Sequence, residues 1–199
     1  MEHIAHLSKD KKLKKLISGL PPMTLKKSKP IYLELVFSII SQQLSTKVAQ
    51  VIQGRFLDLF DTRKPGCDEI LSVPFEQLRA VGLSNAKTVY VREVCQFFIQ
   101  HKLEDKALQR LADEELIALL TQIKGVGRWT SEMILMFSMA REDVFAADDL
   151  GIQQAMARLY QLDATDKKQF REQMLKISAK WSPYRTYACR YLWAWKDGK

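Results

Sequence analysis

Apolar residues recur at helical spacing along almost the whole chain, and no long strictly alternating run competes with them. Val36, Ile39, Ile40 and Gln43 fall on one face of a helix, and Val48, Val51, Ile52 and Phe56 on one face of the next. Eight glycines and six prolines in 199 residues are too few to chop this pattern into short strands and turns. The class is therefore all-α. A hydrophobic share of 47% supports a real core and excludes general disorder. The length suits one compact domain, or two small helical lobes sharing a groove.

Punctuation divides the chain. Residues 1–30 are lysine-rich and end in Lys29-Pro30, which predicts a short first helix and then a loop. Such a basic stretch reads as a solvated surface. Ser41 to Thr46 is a polar break between two apolar stretches, and 61–71 reads as a loop around Pro65-Gly66. Ser72 with Pro74 marks a helix start, and that helix ends near Gly82. Ser84 opens the next, with Val91, Val94, Cys95 and Phe98 on one face. Asp113 caps another, with Leu116, Leu119, Leu120 and Ile123 as its apolar side, closed by Gly125. A helix begins near Trp129. A loop at 140–148 leads to one carrying Ile152, Ala155, Met156 and Leu159, and the stretch from Asp166 is helical and rich in aromatic residues. Leu78–Lys87 and Ile123–Trp129 share a layout of helix, glycine turn and helix.

The formal net charge of +8 points to a polyanionic partner, nucleic acid or an anionic surface. The three cysteines, Cys67, Cys95 and Cys189, are far apart in sequence. They offer neither the paired spacing of a zinc site nor the four thiolates of an iron–sulfur cluster, and read as reduced thiols. No apolar run approaches the ~18–20 residues needed to cross a bilayer, and the opening MEHIAHLSKDKKLKK lacks the apolar core of a signal peptide. The expectation is a cytoplasmic protein, at the nucleoid in a bacterium or in the nucleus of a eukaryote.

Two stretches carry chemistry. In Lys124-Gly125-Val126-Gly127-Arg128 a very short glycine hairpin joins two helices. The glycines let the backbone turn tightly and approach another chain. The second helix then presents its first N–H groups, which suit a phosphate, with Lys124 and Arg128 beside it. A plain helix–helix turn fits the same residues. In DVFAADDLG (143–151), Asp148 and Asp149 open a helix about 20 residues after the hairpin. An aspartate there is a natural cap. The cap and a catalytic role are compatible, because a capped carboxylate is held rigidly and ionised.

Together these residues become specific. Gly125-Val126-Gly127-Arg128-Trp129-Thr130, followed by Asp143-Val144-Phe145 and Asp148-Asp149, resembles the signature of helix-hairpin-helix base-excision DNA glycosylases. WSPYRTYA (181–188) and the stretch from Ile39 to Ser45 are similar to segments of its alkylation-repair branch, DNA-3-methyladenine glycosylase II. The resemblance covers roughly residues 30–196 in the family's order. It implies a two-lobed helical fold with the active-site cleft between the lobes. It also implies a single glycosylase domain over 1–199, with the helix-hairpin-helix at about 114–139.

The resemblance further implies hydrolysis of the N-glycosidic bond of alkylated purines, of the 3-methyladenine and 7-methylguanine type, in double-stranded DNA. Asp149 is the implied catalytic carboxylate. Trp129, Met133, Tyr187 and Trp193 are the implied base pocket. Lys124, Gly125, Val126, Gly127, Arg128 and Thr130 are the implied DNA grip, and Gln42, Gln43 and Leu44 the implied duplex wedge. Bifunctional branches carry a lysine where Trp129 stands, so a monofunctional enzyme is implied. Met133 departs from the aromatic residue that the branch can carry, and the chain is too short for the extra N-terminal β-domain of its best-known member. No cofactor or structural metal is expected; the family often holds a monovalent cation at the hairpin. A monomer with no membrane attachment is expected. The rival readings are a catalytically silent DNA-binding module of the same fold, a bifunctional glycosylase/lyase for another lesion, and a helical protein–protein adaptor whose basic face is incidental.

Overall fold

The computed structural model describes residues 1–28 and 30–198. Lys29, which falls in the loop expected before Pro30, lies outside the described residues. No strand occurs among the described residues, so the all-α expectation is borne out. The chain forms two compact units, one of Ser28–Ile134 and the other of Met1–Lys27 with Leu135–Lys199.

The Ser28–Ile134 unit holds α3 (Ile31–Ser41), α4 (Thr46–Leu57), α5 (Cys67–Ser72), α6 (Phe75–Ala80), α7 (Asn85–Gln100), α8 (Asp105–Leu108), α9 (Asp113–Leu120) and α10 (Arg128–Met133). Helix α7 is the axis on which α3, α5 and α6 pack. Val36, Ile39 and Ile40 of α3, Phe56 of α4, Ile70 of α5 and Val91, Val94 and Cys95 of α7 are all fully buried. Each such aliphatic or phenyl side chain contributes about 1.5–3 kcal/mol through burial.

The other unit holds α1 (Glu2–Leu7), α2 (Lys11–Ile17), a π-helical turn (Ile134–Ser138, begun on the last residue of the first unit), α11 (Leu150–Tyr160), α12 (Lys167–Ser178), a 3₁₀ turn (Ala179–Trp181) and α13 (Arg185–Lys196). Helix α13 packs against α2 and α11. Asp10 caps α2 and gathers four donors: Lys12 N–H at 3.0 Å, Leu13 N–H at 3.2 Å, the Tyr160 hydroxyl at 2.7 Å and the Trp181 indole at 3.3 Å.

Several boundaries differ from the sequence reading. The N-terminal stretch forms two helices, because Asp10 supplies a cap in its middle. Gln43 leaves the helix altogether, with φ +59°. On α4 the buried face is Ala49, Ile52 and Phe56, while Val48 and Val51 are 45% and 49% exposed. Both faces satisfy the helical period, and packing on α3 selects one. The loop expected over 61–71 ends at Gly66, where Glu69 accepts from the Gly66 N–H and starts α5. Ser72 is in the last turn of α5, its hydroxyl donating to Glu69 O, and Pro74 holds the next cap position. Ala112, not Asp113, precedes α9, with Glu115 accepting from its N–H at 2.8 Å. Leu119 and Leu159 are half-buried, and the expected final helix is broken at 179–184.

Candidate functional site

The carboxylate of interest sits at the end of an irregular segment, 139–149, in the unit that includes Leu135–Lys199. Helix α13 fastens this segment. Arg185 donates Nε to Asp143 Oδ1 at 2.7 Å and Nη2 to Oδ2 at 3.0 Å, while Ser182 Oγ donates to Oδ2 at 2.7 Å. One residue along, Thr186 Oγ1 accepts from Val144 N–H at 3.0 Å and donates to Arg141 O at 2.7 Å. The loop backbone thus finds partners without regular structure.

Asp149 follows as the cap of α11, its Oδ1 accepting the Ile152 N–H at 2.8 Å. The same oxygen accepts the Trp193 indole N–H at 2.8 Å. Asp148 is exposed and pairs with Arg171 of α12. The two adjacent aspartates therefore have different surroundings, one tied into helix ends and an indole, the other in a surface ion pair.

Burial pushes the Asp143 carboxyl up, but hydrogen bonds from Arg185 and Ser182 outweigh it and hold the group below the ordinary carboxylate range. Asp10 behaves likewise: burial raises it, and the Tyr160, Leu13 and Trp181 donors bring it lower still. A carboxylate depressed in the folded state contributes stability that is present above its unfolded pKa and lost as pH falls through the folded value. Stability should therefore decline as pH drops below about 4. Asp143→Asn should lower Tm at pH 7 and flatten that decline, as read by thermal melts across pH 2–7. A melt curve of Asp143→Asn parallel to wild type would contradict this.

In the Ser28–Ile134 unit, α9 and α10 are joined by the glycine turn. Gly125 has φ +93°, and a β-carbon there would lie 2.4 Å from the Tyr90 ring. Gly127 precedes α10 and no side chain caps that helix. Lys124 is exposed, whereas Val126 and Thr130 are 5% and 3% exposed and pack inward. Arg128 donates Nη1 to Glu114 at 3.0 Å and Nε to Glu132 at 3.1 Å. Its guanidinium braces α9 against α10.

The Gln42–Leu44 turn belongs to the same unit and is tied to this hairpin. Gln42 Nε2 donates to Gly125 O at 3.2 Å. Lys87 Nζ, its pKa lowered by burial, donates to Ile40 O at 2.8 Å and Gln42 O at 2.6 Å. Gln43, exposed and left-handed, stands at the tip, and Leu44 is half-buried. The Leu78–Lys87 segment repeats the helix, glycine turn and helix layout, with Gly82 at φ +111° and Ser84 capping α7.

Among the described residues, no group of three or more His, Cys, Asp or Glu side chains is gathered as a metal site, and no helix is long and apolar enough to cross a membrane.

The family model described as HhH-GPD superfamily base excision DNA repair protein matches residues 36–180. The chain belongs to the HhH-GPD superfamily. DNA-3-methyladenine glycosylase 1 of Schizosaccharomyces pombe is 38% identical over 194 residues, which are 96% of this chain and 84% of that protein. The solved structure of the S. pombe 3-methyladenine DNA glycosylase in complex with abasic DNA matches with TM-score 0.84 at 36% identity, covering 98% of this chain and 96% of that one. A DNA-3-methyladenine glycosidase from Bacillus halodurans matches with TM-score 0.85 at 32% identity, covering 98% and 89%.

Within this HhH-GPD chain, the residues expected to form the site have unequal circumstances. Trp129 is 40% exposed and Met133 is half-buried. Tyr187 is 8% exposed, its ring stacked on His3 at 3.9 Å and its hydroxyl donating to Glu142 at 3.0 Å. That environment is packing, not an open stacking face. Arg128, expected to grip phosphate, is occupied by two glutamates of its own unit. Thr130 is 3% exposed. Sequence reasoning missed Lys87, Arg185 and Gly151. Lys87 carries no motif signal, because it acts on backbone carbonyls brought near only by folding. Arg185 and Gly151 lie inside the WSPYRTYA and DVFAADDLG stretches, but their partners are set by the fold and not by their spacing.

Proposed function

We propose that the chain is a monofunctional DNA glycosylase that hydrolyses the N-glycosidic bond of alkylated purines in double-stranded DNA, with Asp149 as the catalytic carboxylate. The observation that carries this reading is the doubly hydrogen-bonded Asp149 at the start of α11. Similarity to proteins named DNA-3-methyladenine glycosylases, one of them bound to abasic DNA, supports it, since abasic DNA is what base release leaves.

A base stacked in a duplex is out of reach and must be flipped out, at a cost of a few kcal/mol. Gln43, at the exposed tip of its turn, enters the stack and fills the gap. The hairpin backbone around Gly125–Gly127 and the Lys124 ammonium hold the phosphate backbone, which makes binding salt-dependent. Alkylation at N3 or N7 leaves the purine cationic. It stacks on the exposed indole of Trp129, an attraction of about 0.5–2 kcal/mol, and it departs without strong acid assistance. As the bond lengthens, positive charge grows on the sugar. The fixed negative charge of Asp149 stabilises that charge and orients the attacking water. Trp129 has no amine, so no Schiff base forms at that position. The chain works as one glycosylase domain and as a monomer, in the compartment that holds the genome: the cytoplasm of a bacterium or the nucleus of a eukaryote.

The test is release of free methylated purines from dimethyl-sulfate-treated duplex DNA. A folded, DNA-binding protein that releases none would end the alkylpurine reading. Gln43→Ala should slow excision from duplex about ten-fold, through the lost support of the flipped state, with Tm unchanged. Equal rates for Gln43→Ala and wild type would shift the wedge to Leu44.

A further inference from the structure

Asp149 receives two hydrogen bonds on one oxygen, and their origins differ. The Ile152 N–H belongs to the helix that Asp149 itself caps, and any capping aspartate would receive it. The Trp193 N–H comes from α13, another helix, and reaches the same Oδ1 from outside the cap. Two donors from separate elements fix both side-chain torsions of the carboxylate, where a cap bond alone leaves room to rock.

The surroundings are built for this second bond. Gly151 lies in the first turn of α11, where alanine would ordinarily favour a helix. A β-carbon at Gly151 would come within 3.0 Å of Asp149 Oδ1 and 3.1 Å of both Trp193 Cδ1 and Nε1. These separations are tighter than ordinary carbon contacts. The missing side chain is the space through which the indole reaches the carboxylate. Behind the indole, Phe137 of the π-helical turn lies 5.7 Å away between ring centroids, tilted by 30°. Arg190, three residues before Trp193, holds its guanidinium 5.7 Å over the Phe137 ring. Helix α13 is itself anchored to the 139–149 segment that ends at Asp149 by the Asp143–Arg185 fork. The indole is therefore held by its ring, by its helix and by the vacancy at Gly151.

We propose that Trp193 is a positioning residue that aims the Asp149 carboxylate through its indole N–H, and that Gly151 is the space that permits the contact. The resemblance implies that this tryptophan stacks the damaged base. The geometry assigns it to the carboxylate instead. The inference rests on Asp149 being the catalytic group.

The experiment compares wild type, Trp193→Phe, Gly151→Ala and Asp149→Asn in single-turnover excision from methylated duplex DNA, with affinity for abasic-site DNA and Tm measured on each. Trp193→Phe keeps an aromatic face and deletes the N–H. Gly151→Ala keeps both rings and crowds the bond. The expected result is a maximal rate about 10- to 100-fold lower in both, the loss that follows from one charge-assisted hydrogen bond. Affinity should stay within about two-fold of wild type, and Tm of Gly151→Ala should stay within a few degrees of wild type, because the helix preference of alanine and the crowding of the carboxylate and indole act in opposite directions. A purely structural glycine would give no rate loss alongside that Tm. Weakened affinity with a preserved rate in Trp193→Phe would overturn the proposal in favour of base stacking, and wild-type rates in Gly151→Ala would overturn the role of the glycine. If Asp149→Asn is inactive while Trp193→Phe is fully active, this inference alone fails. If Asp149→Asn excises at the wild-type rate, the catalytic reading fails with it.

Discussion

Asp149→Asn should lower the single-turnover rate of methylpurine release by about 10²- to 10³-fold, the range seen when one preorganised electrostatic group is removed from a reacting centre. Asparagine keeps an oxygen where Oδ1 accepts the Ile152 and Trp193 N–H groups, so the cap of α11 and the indole contact survive. What disappears is the negative charge that the proposed mechanism uses to stabilise the sugar as it becomes cationic. Affinity for abasic-site duplex should stay within a few-fold, and Tm should fall by no more than a few degrees. Asp148→Asn is the natural control: it removes an exposed pair with Arg171, of the kind usually contributing about 0–1 kcal/mol, and should leave the rate near wild type. If the Asp148 variant were the inactive one, the two roles would have to be exchanged.

Gly125→Ala should damage both stability and DNA binding. The backbone there has φ +93°, a conformation that costs a residue with a β-carbon about 1–2 kcal/mol. The added carbon would also sit 2.4 Å from Tyr90 Cγ and Cδ2 and 2.8 Å from its Cβ. These atoms lie at the root of the side chain, so the ring cannot swing clear without moving α7. Overpacking of this kind adds about 1–3 kcal/mol. At roughly 2–4 °C per kcal/mol for a chain of this size, Tm should fall by about 4–20 °C. Because Gln42 donates to Gly125 O, a displaced hairpin also loosens the Gln43 turn. Duplex affinity should weaken about ten-fold or more even where the protein remains folded, since the proposed phosphate grip of the hairpin depends on one backbone shape. Adding Tyr90→Ala to the variant removes the contacts with Cγ and Cδ2 but keeps the 2.8 Å contact with Cβ and the unfavourable φ, so Tm should recover only in part. An unchanged Tm and affinity in Gly125→Ala would show that the turn tolerates a side chain and that the hairpin is not rigidly specified.

Helical periodicity, the glycine turns and the paired aspartates are local properties, and they are readable directly. Residues i and i+3 or i+4 meet whatever else the chain does, a left-handed turn needs glycine wherever it occurs, and an aspartate before an apolar stretch caps its own helix. That is why the all-α class, the hairpin at Gly125, the caps at Ser84 and Asp149 and the buried face of α7 are legible from the residues alone. The ordered motifs then carry the family. Where two local solutions are equally good, the sequence cannot choose: Val48 and Val51 satisfy the helical period as well as Ala49 and Ile52, and only packing against α3 decides which pair meets water.

Interactions between distant positions are settled only by the tertiary structure. Arg128 reads as free to grip phosphate until folding brings Glu114 to it, and Tyr187 reads as a stacking face until His3, from the opposite end of the chain, covers its ring. Lys87 holds carbonyls more than 40 residues away, and Trp193 reaches a carboxylate 44 residues before it. Hydrogen bonds and ion pairs act over about 3 Å, and a sequence specifies their partners only through the fold that brings them within that distance. The sequence determined which groups this protein has for its chemistry, and the tertiary structure decided which of them are aimed and which are occupied.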